Sequence, residues 1–416
     1  MIRAELVLDG IRDLATVASG PTPKVGELAG ALGRVENAAI GIDGGRFVYV
    51  GPSRHLRREL RVRSGGRRIH LPEVSVVPGF VDAHTHLLFA GDRAQELGPK
   101  VHGASYLEIA RRGGGLLSTV RATRRATSSD LAASAEARLR RLLARGTTTA
   151  EVKSGYALTH AGELRLLELL PGLARRTGVR IVPTYLGAHA VPPGIPKARY
   201  VSSIVTRSLP EVARRGLAAF CDVFCEPGFF SVPDADRILR AAARLGLGTK
   251  LHAEEFVRSG GALLAARRSC RSADHLLAST AEDRRALARA GVAAVLLPVT
   301  ALATMSGRAS PGRALVDDGV AVALGSDLSP NSWVESMSTV LNHAVYSARL
   351  TPAEALVAAT ANSAWAIGVD DRAGVIAVDR PADLVAFDLP SVEHVPYRWD
   401  ARPWAVYRRG IRVSSG

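Results

Sequence analysis

Cysteine is scarce in this 416-residue chain: Cys221, Cys225 and Cys270 are the only three, too few and too odd in number for a disulfide framework. A structural zinc knuckle is not expected either, because Cys221 and Cys225 have no second thiol pair to complete one. Lysine is rare as well, with Lys24, Lys100, Lys153, Lys197 and Lys250 the only five among 54 basic residues. The net charge of +15 is therefore carried by arginine, spread as pairs such as Arg124-Arg125, Arg175-Arg176, Arg214-Arg215 and Arg267-Arg268. Aromatic residues make up only 5% and do not interleave with these pairs, so no nucleic-acid platform is expected. Mild steering of an anionic substrate is the simpler use of the charge. Long apolar runs are missing too: Pro298, Thr300 and Thr304 interrupt the stretch 292–305, which falls short of the roughly 20 residues a membrane span needs. Arg3, Glu5 and Asp9 stand where an export signal would need an unbroken apolar core, so no membrane partner and a cytoplasmic location are expected.

What is present is 47% hydrophobic residues and 40 glycines, the composition of a large buried core. Short strand signals separated by turns fill 4–8, 38–42, 46–51 and 73–77, and similar signals return at 374–378, 383–388 and 404–413. The two ends are expected to pair into one small β unit, from residues 1–77 and 373–416. Between them, helical patterns at 130–145, 161–176, 233–245 and 281–290 alternate with eight β-rich runs: 79–83, 148–152, 180–186, 219–224, 248–252, 272–275, 292–297 and 321–326. Eight such runs predict an α/β fold, a closed (β/α)8 barrel over 78–372 whose chemistry sits at the carboxyl ends of the strands.

Polar residues fall at those ends. In His84-Thr85-His86, after the first run, alternate residues of an extended segment share one side, so both imidazoles can reach one ion. His252 closes the fifth run, His275 the sixth, and Asp327 follows the eighth. Any one of these alone would pass for an ordinary structural polar group. Together they match a mononuclear hydrolytic centre, with three or four N/O ligands and one position left for water. Glu255, three residues past His252, is placed to move a proton to a leaving nitrogen; Glu254 is the competing carboxylate and could instead start the next helix.

The segment Pro78-Gly79-Phe80-Val81-Asp82-Ala83-His84-Thr85-His86 resembles the opening of the amidohydrolase superfamily, metal-dependent hydrolases built on a (β/α)8 barrel with a flanking β-sandwich. Further segments are similar to the branch of that superfamily that opens the ring of 4-imidazolone-5-propanoate in histidine degradation. They are Leu88-Phe89-Ala90-Gly91-Asp92-Arg93, Gly113-Gly114-Gly115-Leu116-Leu117-Ser118-Thr119, Glu151-Val152-Lys153-Ser154-Gly155-Tyr156, Leu186-Gly187-Ala188-His189-Ala190-Val191-Pro192 and Asp222-Val223-Phe224-Cys225-Glu226. The resemblance spans essentially the whole chain. It implies that His84, His86, His252 and Asp327 hold one zinc or iron ion, that Glu255, His275 and Asp327 serve catalysis, and that Arg93, Tyr106, Tyr156 and His189 contact the small-molecule substrate. A second metal is not implied, because Cys225-Glu226 stands where binuclear relatives carry a carboxylated lysine, and Lys153 is left with structural or electrostatic work.

One segment departs from the pattern. Asp-Phe-Asn-Pro-Gly-Ser is usual after the eighth strand, whereas this chain has Asp327-Leu328-Ser329-Pro330-Asn331-Ser332. Ser329, Asn331 and the retained Ser332 are candidate substrate contacts whose hydrogen bonding differs from that pattern. The same ligand set would also serve a hydrolase of another cyclic amide or a deaminase of an amino-heterocycle. Oligomeric state is open, homodimers being the commonest assembly.

Overall fold

The computed structural model describes residues 1–104, 106–305 and 307–413, the side chains of Arg57, Tyr106, Leu107 and Ala110 excepted. The N-terminal stretch forms strands β1 (Ile2–Ala15), β2 (Arg34–Asp43), β3 (Arg46–Pro52), β4 (Leu60–His70) and β5 (Ser75–Pro78). Gly44 and Gly45 both take positive φ, 56° and 74°, as a two-residue hairpin turn between β2 and β3 requires. The β1–β2 register slips between Leu8 and Ile11. Gly10 lies in that slip with φ 66°, and a Cβ there would sit 2.4 Å from His70 Cε1, so the bend depends on glycine.

Eight parallel strands follow: β6 (Phe80–Asp82), β7 (Thr147–Lys153), β8 (Arg180–Ala188), β9 (Phe220–Cys225), β10 (Gly248–Ala253), β11 (Ser272–His275), β12 (Ala293–Leu296) and β13 (Val322–Leu324). Each pairs with the next in chain order. The ring closes between its first and last members through Ala83 N–H to Leu324 O (3.2 Å), Asp327 N–H to His84 O (2.9 Å) and His86 N–H to Leu328 O (3.0 Å). This is the (β/α)8 barrel that the eight runs predict. Its helices include Ser128–Ala144, His160–Thr177, Val232–Arg244 and Ala281–Ala290, near the expected positions. Capping boxes of Thr127 with Asp130, Ser231 with Asp234 and Thr280 with Asp283 fix three of their starts.

The chain returns to the first sheet with β14 (Leu384–Phe387), β15 (Ala405–Arg408) and β16 (Ile411–Val413). The sheet runs β16-β15-β14-β5-β1-β2-β3, with β4 also paired to β1, so the two termini share one structure through the β5–β14 ladder. Two features differ from the sequence expectation. The stretch 374–378 forms no strand, although Ile376 N–H bonds Thr16 O and Arg380 N–H turns back to Ala377 O. The arginine-rich β4, with most of its residues exposed, lies parallel to β1, unannounced by any apolar alternation.

Alternate side chains of a strand share a face, and those pointing inward stack the barrel in layers. Phe220, Val182, Ala293 and Val295 form an apolar floor. Glu151, Lys153, Asp222, Lys250 and Asp274 lie in the strands above it, all without solvent exposure. The histidines lie at the carboxyl end.

Candidate metal centre and active-site cavity

Three imidazoles and a carboxylate from distant strands converge. His86 Nε2 lies 3.1 Å from His84 Nε2, 3.4 Å from His252 Nε2 and 3.3 Å from Asp327 Oδ1, and His84 Nε2 lies 3.7 Å from the same oxygen. Bonds of 2.0–2.1 Å from a central ion would set tetrahedral donors about 3.3–3.4 Å apart. Burial, reinforced by neighbouring Lys153 and histidines, lowers the His84 and His86 pKa values well below 6.5, so these rings are neutral. Lone pairs facing one another at such distances repel unless a proton or a cation lies between them, and the donor set fits one divalent ion. His275 is near enough to form a second grouping with His84 and His252, donor atoms within 4.8 Å of one another.

Backbone geometry is strained where these groups leave their strands. His275 and Asp327 take φ of 76° and 51°, in the left-handed region that non-glycine residues rarely adopt. Asp327 is fixed further by the Thr300 hydroxyl, which donates to Oδ2 at 2.8 Å. Burial nevertheless pushes the Asp327 carboxyl up to about 6.

Beside the donors is a small cavity lined by His86, Arg93, Leu116, Tyr156, His189, Phe224, His252, Glu255, Phe256, His275, Asp327, Ser329 and Asn331. Glu255 Oε2 lies 3.6 Å from His275 Nε2, and burial, with Asp327 and Glu226 nearby, raises the Glu255 carboxyl well above its ordinary range. Glu226 holds this loop, accepting from Glu255 N–H at 2.6 Å and Phe256 N–H at 3.1 Å. Glu254 turns away and accepts from the backbone N–H groups of Ser259, Gly260 and Ala262 at the start of helix Gly261–Arg267.

The remaining polar groups are held by their own loops. Arg93, buried, donates from Nε to Thr119 Oγ1 at 3.0 Å. Tyr156 sits on a loop wrapped around the buried Glu163 carboxylate, which accepts from the N–H groups of Gly155, Ala157 and Leu158. His189 stacks on His86 with ring centroids 4.9 Å apart. Burial lowers its pKa to about 3, so the ring is neutral; Nδ1–H donates to Gly155 O at 3.1 Å and Nε2 remains an acceptor. Asn331 Oδ1 accepts from Lys100 Nζ at 2.7 Å.

Two candidates stand apart. Ser332 is not among the residues lining the cavity, and its buried hydroxyl has no hydrogen-bond partner among the described residues. Tyr106 begins helix Tyr106–Arg111, but its side chain lies outside the described residues. Sequence reasoning passed over Leu116, Phe224, Phe256 and Thr300. It also passed over the acids beneath the histidines: Asp274 Oδ2 lies 2.6 Å from His84 Nδ1, and Asp222 Oδ2 3.0 Å from His252 Nδ1. The available signal was an acidic residue inside an apolar strand, directly before His275 in one case.

Comparison with known proteins agrees with the fold. A family described as "Amidohydrolase family" matches residues 215–413. The imidazolonepropionase of Symbiobacterium thermophilum is 44% identical over 397 residues, covering 94% of this chain and 93% of that protein. That of Geobacillus kaustophilus is 42% identical over 407 residues, covering 97% and 96%. Among solved structures, a zinc-bound adenosine deaminase from Xanthomonas campestris superposes with a TM-score of 0.74 at 18% identity, over 99% of this chain and 93% of that one. A zinc-complexed atrazine chlorohydrolase from Arthrobacter aurescens gives 0.68 at 18% identity, over 98% and 94%. At that identity the last two speak to the fold alone.

Proposed function

The chain belongs to the imidazolonepropionase family of the amidohydrolases, and on that premise we propose how its cavity opens the ring of 4-imidazolone-5-propanoate. The observation that carries the assignment of roles is the convergence of His84, His86, His252 and Asp327 beside a cavity that also holds Glu255 and His275. In this reading residues 78–372 form the hydrolase unit, and 1–77 with 373–416 form the flanking one. The four converging side chains hold one divalent ion, zinc or iron, since an N/O donor set accepts either. When bound, that ion supplies Lewis acidity, making a water acidic enough to attack near neutral pH.

The residues of the chain do the rest. Arg93 receives the propanoate carboxylate on its planar fork. His189 Nε2, an acceptor, takes a ring N–H, and the Tyr156 hydroxyl meets the polar edge of the ring, with Ser329 and Asn331 at the far rim. Tyr106 belongs to the same substrate set by family resemblance. Water adds to the ring carbonyl carbon, and His275 stabilises the oxyanion that develops on its oxygen. Glu255 carries a proton to the ring nitrogen as the C–N bond breaks, giving N-formimidoyl-L-glutamate, the sum of substrate and one water. Asp327 shares in receiving the proton of the water. No serine or cysteine nucleophile is needed.

The test is ultraviolet monitoring of freshly generated imidazolone propanoate with metal-replete protein, followed by identification of the product. Loss of ring absorbance with N-formimidoyl-L-glutamate as product is expected. An intact ring, or release of ammonia from an amino-heterocycle instead, would move the chain to another reaction of the superfamily.

A further inference from the structure

Beneath the metal site, the barrel interior holds a closed set of charges that the reaction does not touch. Lys153 Nζ lies 2.7 Å from Glu151 Oε2, 2.8 Å from Asp222 Oδ2 and 3.6 Å from Asp274 Oδ2. Lys250 Nζ lies 3.1 Å from Glu151 Oε1 and 3.9 Å from Asp274 Oδ2. None of these side chains has any solvent exposure. Filling a barrel does not require this arrangement, because apolar side chains of similar volume replace buried ion pairs at little or no cost in stability.

The oxygens explain it better. Asp222 Oδ2 and Asp274 Oδ2 face Lys153, and these same two atoms face the histidines: Asp274 Oδ2 lies 2.6 Å from His84 Nδ1, and Asp222 Oδ2 lies 3.0 Å from His252 Nδ1. The other oxygens are taken as well. Asp222 Oδ1 accepts from Val223 N–H and His252 N–H at 2.7 and 3.2 Å, and Asp274 Oδ1 accepts from the Ser272 hydroxyl at 2.5 Å. A carboxylate facing Nδ1 favours the tautomer with the proton on that nitrogen: His84 Nδ1–H donates to Asp274 Oδ2, and His252 Nδ1 faces Asp222 Oδ2 by distance, which turns the Nε2 of each ring upward. Those Nε2 atoms are the ones that converge with His86 and Asp327.

We infer that Lys153 is a positioning residue for the metal centre: by gripping Asp222 and Asp274 together, it fixes the tautomer and orientation of His252 and His84. This rests on the metal site proposed above and assigns that site a set of supports on β7, β9 and β11.

The test measures metal retention rather than turnover. Full-length protein loaded with zinc is titrated against a chromogenic chelator, and the cobalt-substituted form gives a visible spectrum of the coordination geometry. Lys153→Met, close in length and without charge, is expected to fold, to release zinc about 10- to 100-fold more readily, and to shift the cobalt bands. A folded variant that holds zinc as tightly as wild type, with an unchanged spectrum, would overturn the inference while leaving the metal site intact. Wild-type protein that takes up no stoichiometric zinc would instead overturn the site itself. If Lys153→Met does not fold, Asp222→Asn provides the same reading, with weaker retention expected and unaltered retention overturning it. Zinc-loaded wild type labelled with ¹⁵N-histidine needs no variant: His84 and His252 should appear as Nδ1–H tautomers, and an Nε2–H signal from either would refute the arrangement.

Discussion

Glu255→Gln isolates proton transfer from everything else the cavity does. The residue is only 8% exposed, and its backbone N–H is anchored on Glu226 at 2.6 Å, so a glutamine of the same length is held on the same loop. Its carboxyl lies 3.6 Å from His275 Nε2 and is no member of the four-donor cluster, so the metal should remain. What the substitution removes is an exchangeable proton that burial keeps available at higher pH than an ordinary carboxyl would. General acid–base catalysis contributes about 10²- to 10⁴-fold, and at 1.36 kcal/mol per decade this raises the barrier by roughly 2.7–5.4 kcal/mol. The assay is kcat from loss of imidazolone absorbance, with metal content measured on the same sample. A fall in kcat within that range, with little change in KM and full metal, is expected. A wild-type rate would remove Glu255 from the chemistry, and loss of metal would make it a ligand.

Four further substitutions probe other parts of the site. His252→Ala or Asp327→Ala should abolish both bound metal and turnover, because either leaves an incomplete shell; metal analysis with full retention would contradict the site. Arg93→Met removes the guanidinium from the cavity while filling similar space, and should raise KM by about 10- to 100-fold, the equivalent of a charge-assisted bond of roughly 1.5–3 kcal/mol; an unchanged KM would place the carboxylate elsewhere. Glu226 has one buried oxygen without a hydrogen-bond partner among the described residues, and burial pushes its carboxyl up to about 7. A raised carboxyl pKa gives stability that is full below the unfolded value of about 4.3 and lost as pH climbs through the folded value. The melting temperature of Glu226→Gln, which cannot ionise, should therefore gain on wild type between pH 6 and pH 8, and parallel curves would refute the shift.

Much of the barrel is legible in sequence because its strands are buried on both faces, and so read as short apolar runs that end in polar residues. The four converging donors are legible for the same reason: each stands where such a run stops. β4 is not, since an exposed strand carrying Arg61, Arg63, Arg67 and Arg68 has no buried face to impose alternation, and charge at a sheet edge discourages pairing with other chains. The opposite holds for 374–378, a short apolar run that reads as a strand but meets its neighbour through a single bond, Ile376 N–H to Thr16 O, just past the end of β1. Asp222, Asp274 and Lys153 escape for a different reason. Their partners lie on other strands, and only the register of β7, β9, β10 and β11 brings those oxygens and nitrogens together.

The hydrogen bonds that close the ring of strands have a consequence for the order of events in folding. The stitches between its first and last members run through the backbone of His84, His86 and Asp327 themselves. Completing the cylinder and assembling the reaction centre are thus a single event: a chain still lacking its final 90 or so residues, about the stretch beyond β13, has only just gained the segment that makes the pocket whole. Nascent chains that end between His252 and Asp327 carry the three histidine donors with no aspartate to join them.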